Sequence, residues 1–516
     1  MDDFHQKYIC RVYLVGAGPG DPGLLTLRGA ECLARAQVVL YDYLVNPQIL
    51  RHAGKGAELV CLGRHGSAGA AGHRLMPQDE INRLMIAHAR AGRVVVRLKG
   101  GDPAVFARAA EETYALEAAG IAYEIIPGIT TALAAGSHAG IPITQGDAAS
   151  ALAIVTGQER CGKADLSLDF AALASFPGTL VFYMGVTTAR DWTTSLIAAG
   201  KPAETPAAII RRCSWPDQET VCCTLGEVAD RIDATKLRPP VIVVVGAVVT
   251  ATHEENWFTR RALFGKCVMV TRPVEQADAL VRELNEFGAE VLIQPAIKID
   301  PPPQWELVDA MLDILDDYDW VVFSSANGVR AVADRLLATG RDMRAFGKAR
   351  IAAIGPGTAE ELNHFHLRAD RVPNEFRAEA LAASLAGDAA GKRFLLVRAS
   401  RGREDLSESL QAAGGNVVQV VAYTSSDVPV PNAESLAAIE AGHVDWITVT
   451  SSAIARSLVA LFGEKLRSCK LASISPLTSE TLARCGFPPT VEAGEYTISG
   501  VVEAIVSHER RNGKEA

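Results

Sequence analysis

The chain has 516 residues, too many for one hydrophobic core, so two to four domains are expected. Hydrophobic residues make up 48% and charged residues 22%, and a net charge of −9 argues against nucleic acid as a main partner. The start MDDFHQKYICR carries no secretory pattern, and the longest apolar run, Val241–Ala251, is too short for a bilayer span. A cytoplasmic protein with no membrane partner is therefore expected. The ten cysteines form no C-x-x-C pair and read as reduced thiols packed in cores, with no metal site.

In chain order, strand-like runs fall at Val12–Val15, Val38–Leu40, Val94–Leu98, Ile125–Pro127, Ala153–Thr156, Leu180–Met184 and Val241–Gly246. Helical patterns such as Gln78–Ala91 and Ala109–Ala119 lie between some of them. The alternation predicts α/β architecture with largely parallel sheets. Three of the strand runs open into glycine-containing turns: Gly16-Ala17-Gly18-Pro19-Gly20, Gly100-Gly101-Asp102-Pro103 and Pro127-Gly128-Ile129-Thr130-Thr131. One such turn is weak evidence, because any tight turn uses the same residues. Pro19 and Pro22 also interrupt the helix start that a dinucleotide fingerprint requires. Three transitions at one edge of a parallel sheet predict a small-molecule site there. Asp42, in Leu40-Tyr41-Asp42-Tyr43-Leu44, reads from its position alone as a turn or cap residue. The polar stretch Thr250–Arg261 breaks the pattern and marks a domain boundary.

The second half repeats itself. Arg272 and Arg398 lie 398 − 272 = 126 residues apart, in Val270-Thr271-Arg272 and Leu396-Val397-Arg398. Gly288 and Gly414 share that offset, as do Asp319-Trp320 and Asp445-Trp446, while IAAIGPGT and LASISPLT are offset by 120. Two copies are too few for a solenoid and predict two similar α/β lobes with a cleft between them. The strand runs here end in hydroxyl residues: Ser324-Ser325, Thr358, Thr450-Ser451-Ser452 and Thr478. Each alone is an ordinary helix cap; together they would line a cleft suited to anionic groups.

VYLVGAGPGDPGLLTLRGAECLARAQVVLYDYLV, VVRLKGGDPAVF, PGITTA, YMGV and PPVIVVVGAVV resemble uroporphyrinogen-III C-methyltransferase, a tetrapyrrole methylase, over about residues 8–250. The resemblance implies two lobes that bind S-adenosylmethionine. Pro19, Gly100, Gly101, Asp102, Val105, Thr130, Thr131 and Met184 match the cofactor contacts, and Cys213 stands where the family has glycine. Asp42 matches the proposed proton acceptor. Arg64 replaces a lysine proposed as acid; because arginine stays protonated, Arg64, together with Arg28, is assigned to substrate carboxylates. A homodimer through this half is expected. Phe106-Ala107-Arg108-Ala109-Ala110-Glu111-Glu112 departs from the family's F-G-R-G-G-E-E, as do Thr144-Gln145-Gly146, Thr156-Gly157-Gln158 and Tyr43 at their motifs. Tuned specificity, relocated contacts or a weakened enzyme would each look like this.

GKCVMVTRP, VFSSANGVRA, AIGPGTAEEL, VVAYTS, TVTSSAIARSL and GEYTISGVVEAI resemble uroporphyrinogen-III synthase over about residues 264–508, with Ser475 where the family more often has glycine. That resemblance implies closure of linear hydroxymethylbilane to the macrocycle, with Tyr423 assisting departure of the hydroxyl. Serine and threonine at 324, 325, 358, 450, 451 and 478 would meet the substrate. The domains expected are 8–250 and 264–510 with a linker at 251–263, the second divided into lobes of about 265–300 plus 426–510 and of 301–425. Together the resemblances imply a bifunctional enzyme whose small-molecule tetrapyrrole product is precorrin-2, on the siroheme or corrinoid branch. One alternative makes the first half a non-catalytic binding module, and another makes it an NAD-dependent dehydrogenase with a bilobed sensor.

Overall fold

The computed structural model describes residues 11–63, 76–158, 168–251, 256–401 and 404–512. The chain divides into two compact units, Met1–Gly265 and Lys266–Ala516.

The first unit contains two five-stranded sheets. Strands β1 (Val12–Gly16), β2 (Val38–Tyr41), β3 (Glu58–Cys61), β4 (Val95–Lys99) and β5 (Tyr123–Ile126) assemble in the order β3-β2-β4-β1-β5. Every pairing is parallel. The central strand β1, VYLVG, is buried along its whole length, as a strand covered on both faces should be. Because β1 lies between β4 and β5, the three glycine turns leave the sheet side by side. Gly18 and Gly101 exchange two backbone hydrogen bonds of 2.7 and 3.1 Å. A Cβ on Gly16 would come within 2.6 Å of the Gly128 backbone, so only glycine permits that approach.

The second sheet takes β6 (Leu152–Thr156), β7 (Thr179–Tyr183), β8 (Pro206–Arg211), β9 (Glu219–Thr224) and β10 (Val241–Val245) in the order β6-β7-β10-β8-β9. Only β6 with β7 is parallel; the other three pairings are antiparallel. The expectation of largely parallel sheets holds for the sheet of β1–β5, and this second sheet is the exception within the unit. Residues 212–218 between β8 and β9 are too few for the crossover a parallel pair requires.

The second unit also holds two sheets. One has β11 (Cys267–Val270), β12 (Glu290–Ile293), β18 (Trp446–Val449), β19 (Lys470–Ser473) and β20 (Val491–Glu492) in the order β12-β11-β18-β19-β20. The other has β13 (Ile297–Asp300), β14 (Trp320–Phe323), β15 (Arg350–Ala353), β16 (Arg393–Ala399) and β17 (Asn416–Asp427) in the order β13-β17-β16-β14-β15. Each sequence repeat therefore gives its first two strands to one lobe and its remaining three to the other. Matched carboxylates close both lobes. Asp319 accepts from the Arg393 N–H and the Lys392 ammonium, each at 2.9 Å. Asp445 accepts from the Cys267 N–H at 2.8 Å, with Lys266 at 3.6 Å. The chain passes between the lobes through β13 and β17, which pair antiparallel. Among the described residues no helix is long and apolar enough to cross a membrane, and no three His, Cys, Asp or Glu residues are grouped to hold a metal.

Candidate active sites

The glycine turns of the first unit are fastened by the aspartate in their midst. Asp102 accepts from the Gly128 N–H at 2.9 Å through one oxygen and from the Ala104 N–H at 2.7 Å through the other. The Pro19 carbonyl accepts from the Trp215 indole at 3.1 Å. The Thr130 hydroxyl lies 2.8 Å from the Tyr183 hydroxyl, which also accepts the Ala132 N–H at 2.6 Å, one residue beyond Thr131. Burial pushes the Tyr183 phenol up. The Phe106 ring is 5.5 Å from Tyr183, and Val105 N–H donates to the Asp102 carbonyl.

Phe106 and Met184 both adopt left-handed backbone, φ +51° and +53°, and both remain largely exposed. Non-glycine residues held there cost of order 1–3 kcal/mol and cluster at binding sites. The edge thus presents the Gly100 and Gly101 backbone and apolar and aromatic surface, with the Thr130 hydroxyl buried against Tyr183. Cys213 is 3% exposed in an apolar cluster, and burial pushes its thiol up. A thiol so enclosed serves packing.

Asp42 stands at the end of β2. Its Oδ1 lies 2.6 Å from the Arg97 guanidinium, and its N–H donates to the Leu98 carbonyl. Arg97 and Lys99 project from one face of β4, and both reach Glu112 Oε1 from the helix Ala109–Ala118, at 3.0 and 2.8 Å. Arg97, Lys99 and Glu112 are at most 3% exposed, while the Asp42 side chain is 30% exposed. The result is a buried cluster of two cations and two carboxylates with one oxygen near solvent. Burial and the neighbouring Arg97 push the Lys99 amine down; Glu112 opposes them. Arg97, Lys99 and Glu112 were not singled out from sequence, although two cations at alternate positions of a buried strand must face a common counter-charge. Arg28 is held bidentate by Glu124, at 3.1 and 2.8 Å, and by Glu31 at 3.2 Å. Its charge is met by these carboxylates, and no contact joins it to Asp42. Arg64 lies outside the described residues.

In the second unit, Tyr423 on β17 is 7% exposed and its hydroxyl lies 2.9 Å from that of Ser325. Burial pushes this phenol up against the opposing hydrogen bonds of Ser325 and Asn327. Ser325 also caps the helix Ala326–Ala338 by accepting the Gly328 N–H at 3.2 Å. Ser451 caps the helix Ser452–Phe462 in the same way through Ile454. Ser324 donates to the Val397 carbonyl at 3.1 Å. Thr358 and Thr478 are buried inside the first turns of their helices, whose caps are Gly355 and Ser475; Thr478 lies 3.2 Å from the Ser475 hydroxyl. Thr450 follows β18 directly and is half-buried. Ser324, Ser325, Thr450 and Ser451 therefore follow strand ends, and Ser325 and Ser451 hold helix starts.

Residues 11–229 match the family model described as tetrapyrrole (corrin/porphyrin) methylases, and residues 278–503 match uroporphyrinogen-III synthase HemD. A porphyrin biosynthesis protein HemD of Ruminiclostridium josui is 32% identical over 96% of this chain and 97% of its own length. A uroporphyrinogen-III C-methyltransferase of Bacillus subtilis is 38% identical over 62% of this chain and 64% of its own length. A siroheme synthase of Sodalis glossinidius is 46% identical over 49% of this chain, which spans only 52% of that relative's length. A solved uroporphyrin-III C-methyl transferase of Thermus thermophilus, complexed with S-adenyl homocysteine, is 40% identical over 46% of this chain and 99% of its own, with a TM-score of 0.40.

The two units are thus a tetrapyrrole methylase fused to a uroporphyrinogen-III synthase, as the motifs implied. The chain belongs to the family of the porphyrin biosynthesis protein HemD, a family of tetrapyrrole-building enzymes.

Proposed function

We propose that the second unit closes hydroxymethylbilane to uroporphyrinogen III and the first methylates that product to precorrin-2. Correspondingly, we assign the methylase to residues 8–250 and the synthase to 264–510, with 251–263 between them. The observation that carries the methylase reading is the Asp42 carboxylate, fixed through one oxygen at the strand end beside three interlocked glycine turns.

The residues at that edge fit S-adenosylmethionine: the glycine-turn backbone for its polar groups, and Phe106, Tyr183 and Met184 for its sulfonium and apolar arm, with Thr130 holding the Tyr183 hydroxyl in place. When bound, that cofactor supplies an electrophilic methyl group, so alignment is the main task left to the protein. The interlocked turns provide it, since Gly18, Gly101 and Gly128 cannot move independently. Methylation at a macrocycle carbon is completed by loss of a proton. Asp42 Oδ1 is held by Arg97, while Oδ2 has no partner among the described residues and accepts that proton. In the second unit the leaving hydroxyl needs little assistance, and the cleft holds the linear chain curled for ring closure, with Tyr423 beside the departing group.

Feeding hydroxymethylbilane and methyl-labelled S-adenosylmethionine to the full chain and identifying the products tests both steps. Label in precorrin-2 is expected. Type III macrocycle without label would reduce the first unit to a binding module, and the symmetric type I isomer alone would remove the synthase reading. A cytoplasmic homodimer joined through the first unit belongs to the same proposal, and sedimentation of that unit tests the dimer.

A further inference from the structure

Arg272 leaves the end of β11 with its side chain turned inward. Its Nε is sealed from water and has no hydrogen-bond partner among the described residues. Its one polar contact among the described residues is a long 3.5 Å reach from a terminal nitrogen to the Gln276 side chain. Burial lowers its affinity for its own proton, and the nearby guanidinium of Arg330, on the other lobe, lowers it further. Arg330 is itself satisfied, held bidentate by Glu361 at 3.1 and 2.6 Å.

The other repeat shows what this position demands when it is filled from within. Arg398, 126 residues on, contacts Glu404, reaches the Gln419 oxygen at 2.7 Å and donates to the Ala399 carbonyl at 3.3 Å. Arg272 has the same place in its repeat and no carboxylate in contact among the described residues. A half-buried guanidinium whose Nε is sealed from water and which lacks a counter-charge is destabilising, and it cannot escape by losing its proton.

The location is the junction of the two lobes. Gln276, the contact of Arg272, bridges from its own lobe to Asn327 at 2.6 Å. Asn327 lies in the first turn of the helix capped by Ser325, whose hydroxyl touches Tyr423. The uncompensated cation therefore stands a few side chains from the tyrosine of the ring-closing cleft, linked to it by polar groups from both lobes.

We propose that Arg272 is an anchor for one carboxylate of the linear tetrapyrrole, held bidentate in the cleft between the lobes. The proposal rests on the synthase reading of the second unit. An acetate or propionate arm supplies two oxygens matched to the guanidinium fork, which an ammonium would not reproduce.

The test uses the full chain with Arg272→Met and Arg272→Lys. Arg272→Met should raise KM for hydroxymethylbilane by about ten- to a hundredfold, the range for losing a charged hydrogen bond. The thermal midpoint of the ligand-free protein should hold or rise, because an unmatched buried charge has been removed. Arg272→Lys should recover part of the KM loss. Calorimetric titration with uroporphyrin III, an unreactive macrocycle bearing the same carboxylates, should show one class of site missing from Arg272→Met. A lowered midpoint with KM unchanged would overturn the proposal and make Arg272 structural. Competition by millimolar inorganic phosphate as effective as uroporphyrin III would overturn the tetrapyrrole assignment. If wild type gives only the type I isomer, the synthase reading fails, and the titration still decides whether Arg272 holds a macrocycle carboxylate.

Discussion

The first unit buries Arg97 and Lys99 against Glu112 and Asp42, two charges of each sign, whereas the second holds the half-buried Arg272 near a guanidinium of its own sign, with its Nε sealed. Both arrangements draw cations away from water, the first fully and the second in part, and among the described residues only the first balances them from within the chain. The difference separates two uses of a buried charge. A charge-balanced cluster needs no counter-ion from outside the chain and fixes the geometry of its one accessible oxygen. An unbalanced cation is complete only when an anion arrives. On the proposed reading, the balance inside each site separates the side chain that orients chemistry from the one that captures substrate.

The largest effect that would break this contrast is at Asp42. Asp42→Asn should lower methyl transfer by about 10²–10⁴-fold, the usual contribution of a positioned base, and leave ring closure untouched. Labelled-product analysis reads both, and wild-type methylation would return Asp42 to a turn residue. Next is Glu112→Gln, which leaves Lys99 without its carboxylate and Arg97 with only one. Loss of one partner from a buried ion cluster typically costs about 3–5 kcal/mol, so the denaturation midpoint of the first unit should fall sharply. A stable Glu112→Gln would show that the cluster is not what holds the strand end.

A smaller effect sharpens the comparison within the second unit. Asp319→Asn loses the acceptor for the Arg393 N–H and the Lys392 ammonium, at a cost of about 1 kcal/mol. Those two partners hold the Asp319 carboxyl below its usual range. Its contribution is thus fully present above about pH 4 and is lost as pH falls through the lower folded value. The gap between wild type and Asp319→Asn should narrow on acidification, and urea titrations at stepped pH would check this. The smallest effect is expected at Arg398→Met, where Glu404 is half exposed and solvent can take over its carboxylate. KM for hydroxymethylbilane should not change, in contrast with Arg272→Met.

The sequence displayed the architecture more readily than the chemistry. The glycine turns after β1, β4 and β5 were legible because close backbone approach demands glycine whatever the ligand. The repeat was legible because Asp319-Trp320 and Asp445-Trp446 perform the same closing task in both lobes. The antiparallel sheet was missed, since β8 and β10 are apolar runs that look alike in either direction. Thr358 and Thr478 were read as candidate cleft hydroxyls, but Gly355 and Ser475 open those helices and bury both threonines. Arg272 and Arg398 are identical letters at matched positions. Whether a carboxylate reaches them depends on side-chain paths that composition and spacing do not encode. Lys99 and Arg97 could have been found, because charges at alternate positions of an apolar strand need an answer from another element.

The passage of the chain through β13 and β17 also sets an order of birth. Residues 297–427 are contiguous and can close their sheet while later residues are still on the ribosome. The sheet begun by β11 and β12 waits from Ile293 to Trp446, 446 − 293 = 153 residues, before β18 arrives beside β11. At about 5–20 residues per second that delay is roughly 8–30 s, with one edge of β11 open to stray pairing throughout. The half of the cleft that carries Arg272 is therefore the last part of the second unit to come into being.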